Sequence, residues 1–345
     1  SDTSGSFGFG ELSKPGNPDE RFVNYNSADE IDYGAVTSAI ILPSEALQNK
    51  SDPNSPVRVS FAIYRKHDLF MSSAQLKDGN SYSLCSDVVA ATIGGQHIKS
   101  LEPVQIIMTP RYPDVEQHAR RRRDVEKTGI TYVNPTMVDD KLVCAHCETG
   151  CGGGLWEKES CVLDIKEAFM HRCACHHNTN YVLLCEETTS LDDVTKQPSV
   201  TQSDLDSDLK ELSYKVVNNT NVDEVATDLV RLTSDHDTLT SQDIAYVSTI
   251  MDNIANITGL GVDVAEDIVS TMNNVLGTDQ STLVNAGDEA TSRIIQALDT
   301  IAFNVDLEAN TSWTFTKEHL TLQVWDRSDT SGSFGFGELS KPGNP

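Results

Sequence analysis

The sequence predicts an α+β protein in which an antiparallel β-sandwich is joined to a small helical bundle. From residue 203 to about residue 302, apolar residues recur every three or four positions, which is typical of amphipathic helices. The rest of the chain carries short β-prone runs separated by Gly, Pro, Asn and Ser clusters, which indicates antiparallel strands joined by turns. Because the chain has 345 residues, it is long enough to form two such units.

The predicted strands are runs in which β-branched and aromatic residues are concentrated between turn-forming residues. They are Ala35–Leu42, Val57–Tyr64, Val88–Ile93, Val104–Met108, Tyr181–Leu184 and an alternating region that carries Trp313, Phe315 and Leu320–Trp325. The segment Arg111–Val143 is polar and aperiodic, so we expect it to be an exposed, mobile loop. Its basic cluster is either a convertase cleavage site or a solvated charge run, and consists of Arg120, Arg121, Arg122 and Arg123.

Five predicted helices each carry one apolar stripe. The stripes run over Leu205–Val216, Val222–Leu232, Ile244–Ile257, Ile268–Leu276 and Ile294–Ile301. Thr240 stands three residues before Asp243, which predicts a capping box at the start of the third helix. Gly277 is expected to end the fourth helix, because glycine readily adopts the backbone conformation that follows many helix C-termini.

The charge balance limits the partners that the chain can bind. Asp and Glu total 52 against 26 Lys and Arg, which gives a formal net charge of −26. Because such a chain repels phosphate backbones, a nucleic-acid partner is excluded. No apolar run approaches the roughly 18 residues of a membrane helix, and the first residues lack a signal-peptide pattern. We therefore expect a soluble fragment or a processed piece.

The first 18 residues, SDTSGSFGFGELSKPGNP, are repeated without change at Ser328–Pro345. A functional repeat would normally accumulate differences, and this string is too short to be a domain. Its identity predicts a circularly permuted or circularly copied unit. The parental order would run from about Glu186 to Arg327, through the repeated string, and on from Asp19 to Cys185. A duplicated tag or linker is the alternative.

The chain has eight cysteines, and six of them lie between residues 144 and 175. This crowding fits disulfides in an oxidising compartment. It also fits a zinc site in a reducing compartment, with donors from Cys144, Cys147, Cys173, Cys175, His176 and His177. Together with the crowded cysteines, glycosylation sequons favour secretion, although the zinc alternative stays open. The sequons are at Asn49, Asn218, Asn256 and Asn310.

One segment carries a specific sequence motif. It has Gly-x-Trp ending at Trp156, then Cys161, then Cys173-Ala-Cys175, then the tripeptide 177–179 (His-Asn-Thr) and a short apolar run. The segment resembles the GPS proteolysis-site motif of adhesion G-protein-coupled receptors and polycystin-like proteins, in which a His-Leu-Thr triad follows the Cys-x-Cys. The wider chain resembles the whole GAIN domain that carries this motif.

The resemblance implies two subdomains. Residues 1–185 correspond to the β-sandwich called subdomain B, with the GPS motif at about 144–185. Residues 186–309 correspond to the helical subdomain A, and residues 310–327 supply the first strands of subdomain B. Residues 328–345 repeat residues 1–18. Because the family places the helical half first and this chain places it last, the resemblance also supports a circular permutation.

The resemblance implies that the domain cuts its own backbone between Asn178 and Thr179. His177 would accept the proton of the Thr179 hydroxyl, whose oxygen would attack the carbonyl carbon of Asn178. The resulting ester would then be hydrolysed by water. Asn178 stands where the family usually has Leu, but the electrophile is a backbone carbonyl, so the chemistry remains possible. No cofactor, no metal and no turnover of external substrates are implied.

The family pattern also implies disulfides Cys144–Cys173 and Cys161–Cys175 beside the cleavage site. Such bridges would hold the turn in the bent geometry that the reaction needs. Cys147 and Cys151 are additional to the pattern. They either form a third disulfide, misdirect the other two, or remain free.

The apolar segment after the predicted cut is expected to be a tethered agonist, which in the resembled receptors activates a seven-helix membrane domain. It consists of Thr179, Asn180, Tyr181, Val182, Leu183 and Leu184. The implied partners are the seven-helix domain of the parent protein and an unidentified extracellular protein ligand, and the implied location is the extracellular side of the plasma membrane. The alternatives are a non-cleaving structural or ligand-binding ectodomain, in which this segment is an ordinary core strand, and an intracellular zinc module.

Overall fold

The computed structural model describes residues 22–26, 36–48, 56–70, 73–76, 81–94, 98–110, 142–147, 155–167, 170–186 and 205–339. The strands are β1 (Phe22–Tyr25), β2 (Val36–Leu42), β3 (Val57–Tyr64), β4 (Ser73–Leu76), β5 (Ser81–Leu84), β6 (Val88–Ile93), β7 (Ile98–Met108), β8 (Leu142–Cys147), β9 (Leu155–Trp156), β10 (Cys161–Glu167), β11 (Met170–Asn178), β12 (Asn180–Glu186), β13 (Ser312–Thr316), β14 (Leu320–Arg327) and β15 (Phe334–Leu339). The helices are α1 (Ser44–Gln48), α2 (Leu205–Tyr214), α3 (Val222–Thr233), α4 (Ser241–Ala255), α5 (Val262–Gly277), α6 (Gln280–Ala286) and α7 (Asp288–Asn304).

The strands form two sheets. Sheet A has six strands in the order β1-β15-β2-β7-β11-β10. Sheet B has nine strands in the order β13-β14-β3-β6-β12-β5-β4-β9, and its remaining member, β8, pairs with β12. Among the described pairs, only β4 with β9 is parallel. The predicted fold class, an antiparallel β-sandwich with a helical bundle, is confirmed.

Sheet B is covered on both faces. Phe61 and Ile63 of β3 pack with Phe336 of β15 in the core between the two sheets. Tyr64, next along β3, belongs to a second core that continues into the helices. Strands such as Val88–Ile93 are therefore almost entirely apolar, because both of their faces are buried. The one polar residue of this strand, Thr92, forms a hydrogen bond with the Ser60 hydroxyl. The order of layers is sheet A, sheet B and helices.

The helical layer is joined to sheet B by an arginine on β3. The Arg58 guanidinium makes two hydrogen bonds to the Asp326 carboxylate, at 2.8 and 2.6 Å. It also donates to the carbonyl of Phe303, at 2.7 Å, and to that of Val305. These carbonyls lie at the C-terminal end of α7, where backbone acceptors have no partner within the helix. One side chain therefore satisfies a helix end and a carboxylate of β14.

The helix predictions are largely confirmed, with one error in number. Thr240 and Asp243 form the predicted capping box, with the Asp243 N–H 3.2 Å from the threonine hydroxyl and the Thr240 N–H 2.8 Å from the carboxylate. The described residues from 205 onward contain six helices rather than five. The additional helix, α6, has seven residues and one buried apolar side chain, Leu283, so it shows no apolar stripe.

The loop predicted over Arg111–Val143 extends too far. Leu142 and Val143 belong to β8, because they pair with β12 in sheet B. Residues 111–141 lie outside the described residues.

The strands that follow the helices complete the sheets that the first half of the chain begins. β14 pairs with β3, and β15 lies between β1 and β2. In the parental order, β15 would run through the repeated string directly into β1 and form a hairpin with it. The placement of β15 is therefore the one that a circular permutation produces.

Candidate functional site at the crossing between the two sheets

The predicted cleavage site lies where the chain crosses from one sheet to the other. β11 ends at Asn178 in sheet A, and β12 begins at Asn180 in sheet B, so Thr179 is the single residue between them. Asn180 is already paired with Ala90 of β6 and Cys147 of β8. The Asn178–Thr179 peptide bond therefore lies at a one-residue bend whose two sides are fixed in different sheets.

Thr179 is fully buried, and sheet B holds both of its oxygens. Its hydroxyl donates a hydrogen bond to the backbone carbonyl of Cys147. Its own carbonyl accepts a hydrogen bond from the Ala91 N–H at 3.1 Å. Neither partner could be predicted from the sequence, because contacts made through the backbone leave no signal in residue identity.

His177 is placed by its backbone at the end of β11. It pairs with Lys99 of β7, and the β11–β7 register is interrupted between Cys175 and His177. Such an interruption lets a strand bend and twist locally. The side chains of His177 and Asn178 lie outside the described residues.

Three described disulfides surround the bend. They are Cys144–Cys173, Cys161–Cys175 and Cys85–Cys185. The first joins sheet B to β11, and the second joins directly paired positions of β10 and β11. These two are the pairs that the resemblance implies. The third ties β12 to a residue 100 positions earlier, on the other side of the bend. Cys147 is also disulfide-bonded, and its partner lies outside the described residues.

Two stretches of the chain match protein-family models. The model described as GPS, GAIN subdomain B, matches residues 13–189, which is just over half of the chain. The chain belongs to the GAIN domain family. A second model, described as the GAIN domain of ADGRA3-like proteins, matches residues 203–304. A search of curated proteins finds no match.

The matched segments also give the order of the GAIN domain in this chain. Subdomain B is matched first and the helical part second, in agreement with the predicted permutation. The chain is thus a GAIN/GPS module of an adhesion-receptor-like protein. Among the described residues, no helix is both long enough and apolar enough to cross a bilayer.

Within this GAIN domain, the strand after the bend is buried on both faces. Tyr181 and Leu183 belong to the core between the sheets. Val182 and Leu184 belong to the core shared with the helices. Burial raises the pKa of the Tyr181 phenol well above its usual value. β12 is therefore a central strand with no exposed apolar side.

Backbone contacts also fix the middle of β12. The Leu183 N–H donates to the Ser86 hydroxyl at 2.9 Å, and its carbonyl accepts from the Cys85 N–H at 2.8 Å. Both partners lie in the short connection between β5 and β6. The Cys85–Cys185 disulfide extends from the same connection, so one short segment holds β12 by hydrogen bonds and by a covalent bond.

Trp156, the tryptophan of the GPS motif, has a packing role in this structure. It is fully buried, and its ring lies 6.3 Å from that of Phe70. Phe70 in turn packs edge-on against Tyr64 at 4.9 Å. The three rings form part of the core that continues into the helices.

The zinc alternative is wrong for the described cysteines. A cysteine binds zinc only as a thiolate, and the sulfurs of Cys144, Cys147, Cys173 and Cys175 are all in disulfides. No group of three or more His, Cys, Asp or Glu side chains in the described part of the chain is arranged to hold a metal ion. Oxidised cysteines instead fit a compartment outside the cytosol.

Three of the four predicted glycosylation sequons lie in described regions, and all three asparagines are exposed. They are Asn218, Asn256 and Asn310. The Asn218 side-chain carbonyl accepts a hydrogen bond from the Thr220 hydroxyl of the same sequon, at 2.6 Å. Asn49 and the basic cluster Arg120–Arg123 lie outside the described residues.

Proposed function

We propose that this GAIN domain cleaves its own backbone between Asn178 and Thr179 and keeps Thr179–Leu184 as a buried tethered agonist. The observation that carries the proposal is the one-residue bend at Thr179, which lies inside the sandwich with strands fixed on both sides. Because the hydroxyl is held next to the carbonyl of the preceding residue, the domain does not need to bind a separate substrate. Such positioning is worth several orders of magnitude in rate.

The proposed reaction is an N-to-O acyl shift followed by hydrolysis. His177 accepts the proton of the Thr179 hydroxyl as its oxygen bonds to the carbonyl carbon of Asn178. The C–N bond then breaks, and the Thr179 nitrogen takes a proton and becomes a free amine. Water hydrolyses the ester, which leaves a carboxylate on Asn178 and restores the hydroxyl of Thr179. No cofactor or metal takes part.

The surrounding contacts support this chemistry by fixing the two reacting residues. The carbonyl of Thr179 accepts a hydrogen bond from the Ala91 N–H, so Thr179 cannot rotate freely. The two bridges to β11 hold the approach to the bend, at positions two and four residues before His177. In the resting arrangement, the hydroxyl proton points to the Cys147 carbonyl, and it must turn toward His177 before the oxygen can attack.

After the cut, the two pieces would remain one particle. Residues 179–345 supply β12, β14 and β15, which lie among strands of residues 1–178 in both sheets. The Cys85–Cys185 disulfide also joins one piece to the other. We therefore propose that in this protein the agonist strand is retained by packing and by a covalent bridge.

We further propose that the parent protein places this module on the extracellular side of the plasma membrane, next to its own seven-helix domain. The match to the GAIN domain of ADGRA3-like proteins supports this partner. The disulfides and the exposed sequons at Asn218, Asn256 and Asn310 support the compartment. An extracellular protein ligand is a further proposed partner, and cleavage at Arg120–Arg123 by a convertase stays a prediction.

Cleavage is tested on the full chain by reducing gel electrophoresis and intact mass. We expect two fragments that divide between Asn178 and Thr179. Thr179→Ala removes the nucleophile and should leave a single chain, whereas Thr179→Ser keeps a hydroxyl and should still cut. His177→Ala should slow cleavage by roughly 10²–10⁴-fold, which is the usual contribution of a general base.

The matched control is His176→Ala, which changes the neighbouring histidine and should leave cleavage intact. A folded parent chain that stays whole under reducing conditions would contradict self-cleavage. That result would favour the alternative of a structural or ligand-binding ectodomain in which Thr179 only anchors β12 through the Cys147 carbonyl.

A further inference from the structure

The sequence of strand β15 occurs twice in the chain, and sheet A has one position for it. Phe334–Leu339 occupies this position as β15, between β1 and β2. Phe7–Leu12 has the same sequence, FGFGEL, within the 18-residue repeat. Every backbone and side-chain contact that β15 makes is therefore chemically available to the first copy.

The space between β1 and β2 fits the side chains of β15 and would exclude larger ones. Phe336 is fully buried and stacks on Phe22 at 5.5 Å and on Phe61 at 5.9 Å. The two glycines have no room for a side chain. A Cβ on Gly335 would lie 2.6 Å from the Ile40 carbonyl oxygen, and one on Gly337 would lie 2.8 Å from the Tyr25 ring. The alternation Phe-Gly-Phe-Gly that fits here occurs in the chain only in the two copies of the repeat.

Polar contacts add to the selectivity. The Glu338 carboxylate forms an ion pair with Arg65 at 2.9 Å, in which both side chains are largely buried. The Glu338 carbonyl accepts a hydrogen bond from the Thr37 hydroxyl at 3.1 Å. Glu11 stands at the matching place in the first copy and offers the same two groups.

Both copies can reach the position within one chain. Phe334 is joined to β14 by six residues, 328–333. Leu12 is separated from Phe22, the first residue of β1, by nine residues that include Pro, Gly and Asn. Nine residues span up to about 30 Å, whereas neighbouring strands are about 5 Å apart. Length therefore allows the first copy to reach the position through its connection to β1, whereas the second copy reaches it from β14.

We propose that the position between β1 and β2 is an exchangeable strand-binding site, which Phe7–Leu12 of the same chain fills whenever Phe334–Leu339 leaves it. The exchange would replace one copy by the other and leave the order of strands in sheet A unchanged. Because one position serves two strands, one copy is always outside the sheet. Either copy of the repeat would thus keep sheet A complete.

The test uses glycine substitutions in the full chain, in a Thr179→Ala background that excludes any effect of backbone cleavage. Gly337→Val blocks the second copy, Gly10→Val blocks the first, and the double variant blocks both. Each single variant should keep its Tm within about 3 °C of the parent, because the other copy fills the position. The double variant should lose about 10 °C or more. Phe336→Asp and Phe9→Asp form a second matched set with the same expectation.

Hydrogen exchange with mass spectrometry shows which copy is bound, because each substitution gives the two otherwise identical peptides different masses. In the Gly337→Val variant, peptides from the first copy should become protected and those from the second should lose protection. The proposal is overturned if Gly337→Val alone destabilises the chain as much as the double variant. It is also overturned if its rescue depends on protein concentration and gives dimers in size-exclusion chromatography, since that would mean exchange between chains.

Discussion

β11 and β12 are consecutive strands separated by one residue, yet the molecule holds them in different ways. β11 buries one face in sheet A, with His171, Cys173 and Cys175 inside and Arg172, Ala174 and His176 partly exposed. β12 buries both faces in sheet B, because the residues on its two sides contact two different cores. The fully buried side chains of β12 are Tyr181, Val182, Leu183 and Leu184.

The disulfides follow the same division. Both bridges on β11 lead to residues on the same side of the Asn178–Thr179 bond, whereas the bridge on β12 leads across it. The strand before the bond is therefore shaped by covalent bonds, and the strand after it is held chiefly by burial. Four buried side chains at roughly 1.5–3 kcal/mol each give on the order of 10 kcal/mol of apolar stabilisation for β12. Cutting the bond does not by itself release such a strand.

The largest expected effect comes from removing the bridge that crosses the bond. Cleaved parent protein should run as one species without reductant and as two with it. Cys185→Ser should give two species under both conditions, because the covalent link between the pieces is lost. The uncut chain should also lose about 2–5 kcal/mol of stability, as is typical when a native disulfide is removed.

Cys85→Ser removes the same bridge from its other end and must give the same gel pattern. Thr179→Ala combined with Cys185→Ser is the control and should remain a single chain under both conditions. Separation of the cleaved parent into two pieces without reductant would show that the pieces are joined only by packing.

The second comparison concerns stability alone and sets a side chain of β12 against one of β11. Leu184→Ala leaves a cavity in the core shared with the helices, and should cost about 2–5 kcal/mol in urea unfolding. Arg172→Ala on the partly exposed face of β11 removes an ion pair with Asp164 that is open to solvent, and should cost less than about 1 kcal/mol. Both variants are measured in the Thr179→Ala background. Equal losses would contradict the view that the buried side chains of β12 contribute more stability than the outer face of β11.

The contrast also explains what the sequence made predictable. Strands buried on both faces, such as Val88–Ile93 and Tyr181–Leu184, are largely apolar runs that the sequence predicts. β11 was not among the predicted strands, because its inward positions are occupied by His and Cys rather than by aliphatic residues. β15 alternates Phe with Gly, and glycine has low β-propensity. The strand conformation of β15 therefore depends more on pairing with its neighbours than on its own composition.

Some features of the candidate site could likewise be predicted from the sequence, and others could not. The tripeptide 177–179 belongs to a local motif whose residues are close in sequence, and the resemblance to the GAIN family implied two of the disulfides. The Cys85–Cys185 bridge could not be inferred, because its 100-residue separation is closed only when β5 pairs with β12. The contacts of Thr179 with Cys147 and Ala91 were also out of reach, since they depend on the register of β8 and β6 against β12.

The smallest expected effect concerns the helical layer that covers the second face of sheet B. Burial raises the pKa of Asp299, on α7, to about 7. An unfolded aspartate loses its proton near pH 3.9, so between about pH 4 and pH 7 the folded state binds more protons than the unfolded state. Stability that is present at low pH is therefore lost as the pH rises through 7. Because the side chain is partly exposed, we expect a loss of about 1–2 kcal/mol.

Asp299→Asn should remove this dependence, so that the variant is more stable than the parent at pH 8 and similar to it at pH 5. Urea unfolding at the two pH values measures the difference, and Asp252→Asn, at an exposed position of α4, is the matched control. Burial also raises the pKa of Tyr64 on β3, and the charge of Asp299 raises it further. If parent and variant lose stability equally between pH 5 and pH 8, ionisation of Asp299 does not destabilise the packing of the helices on sheet B. The helix-facing side of β12 would then be covered by packing alone.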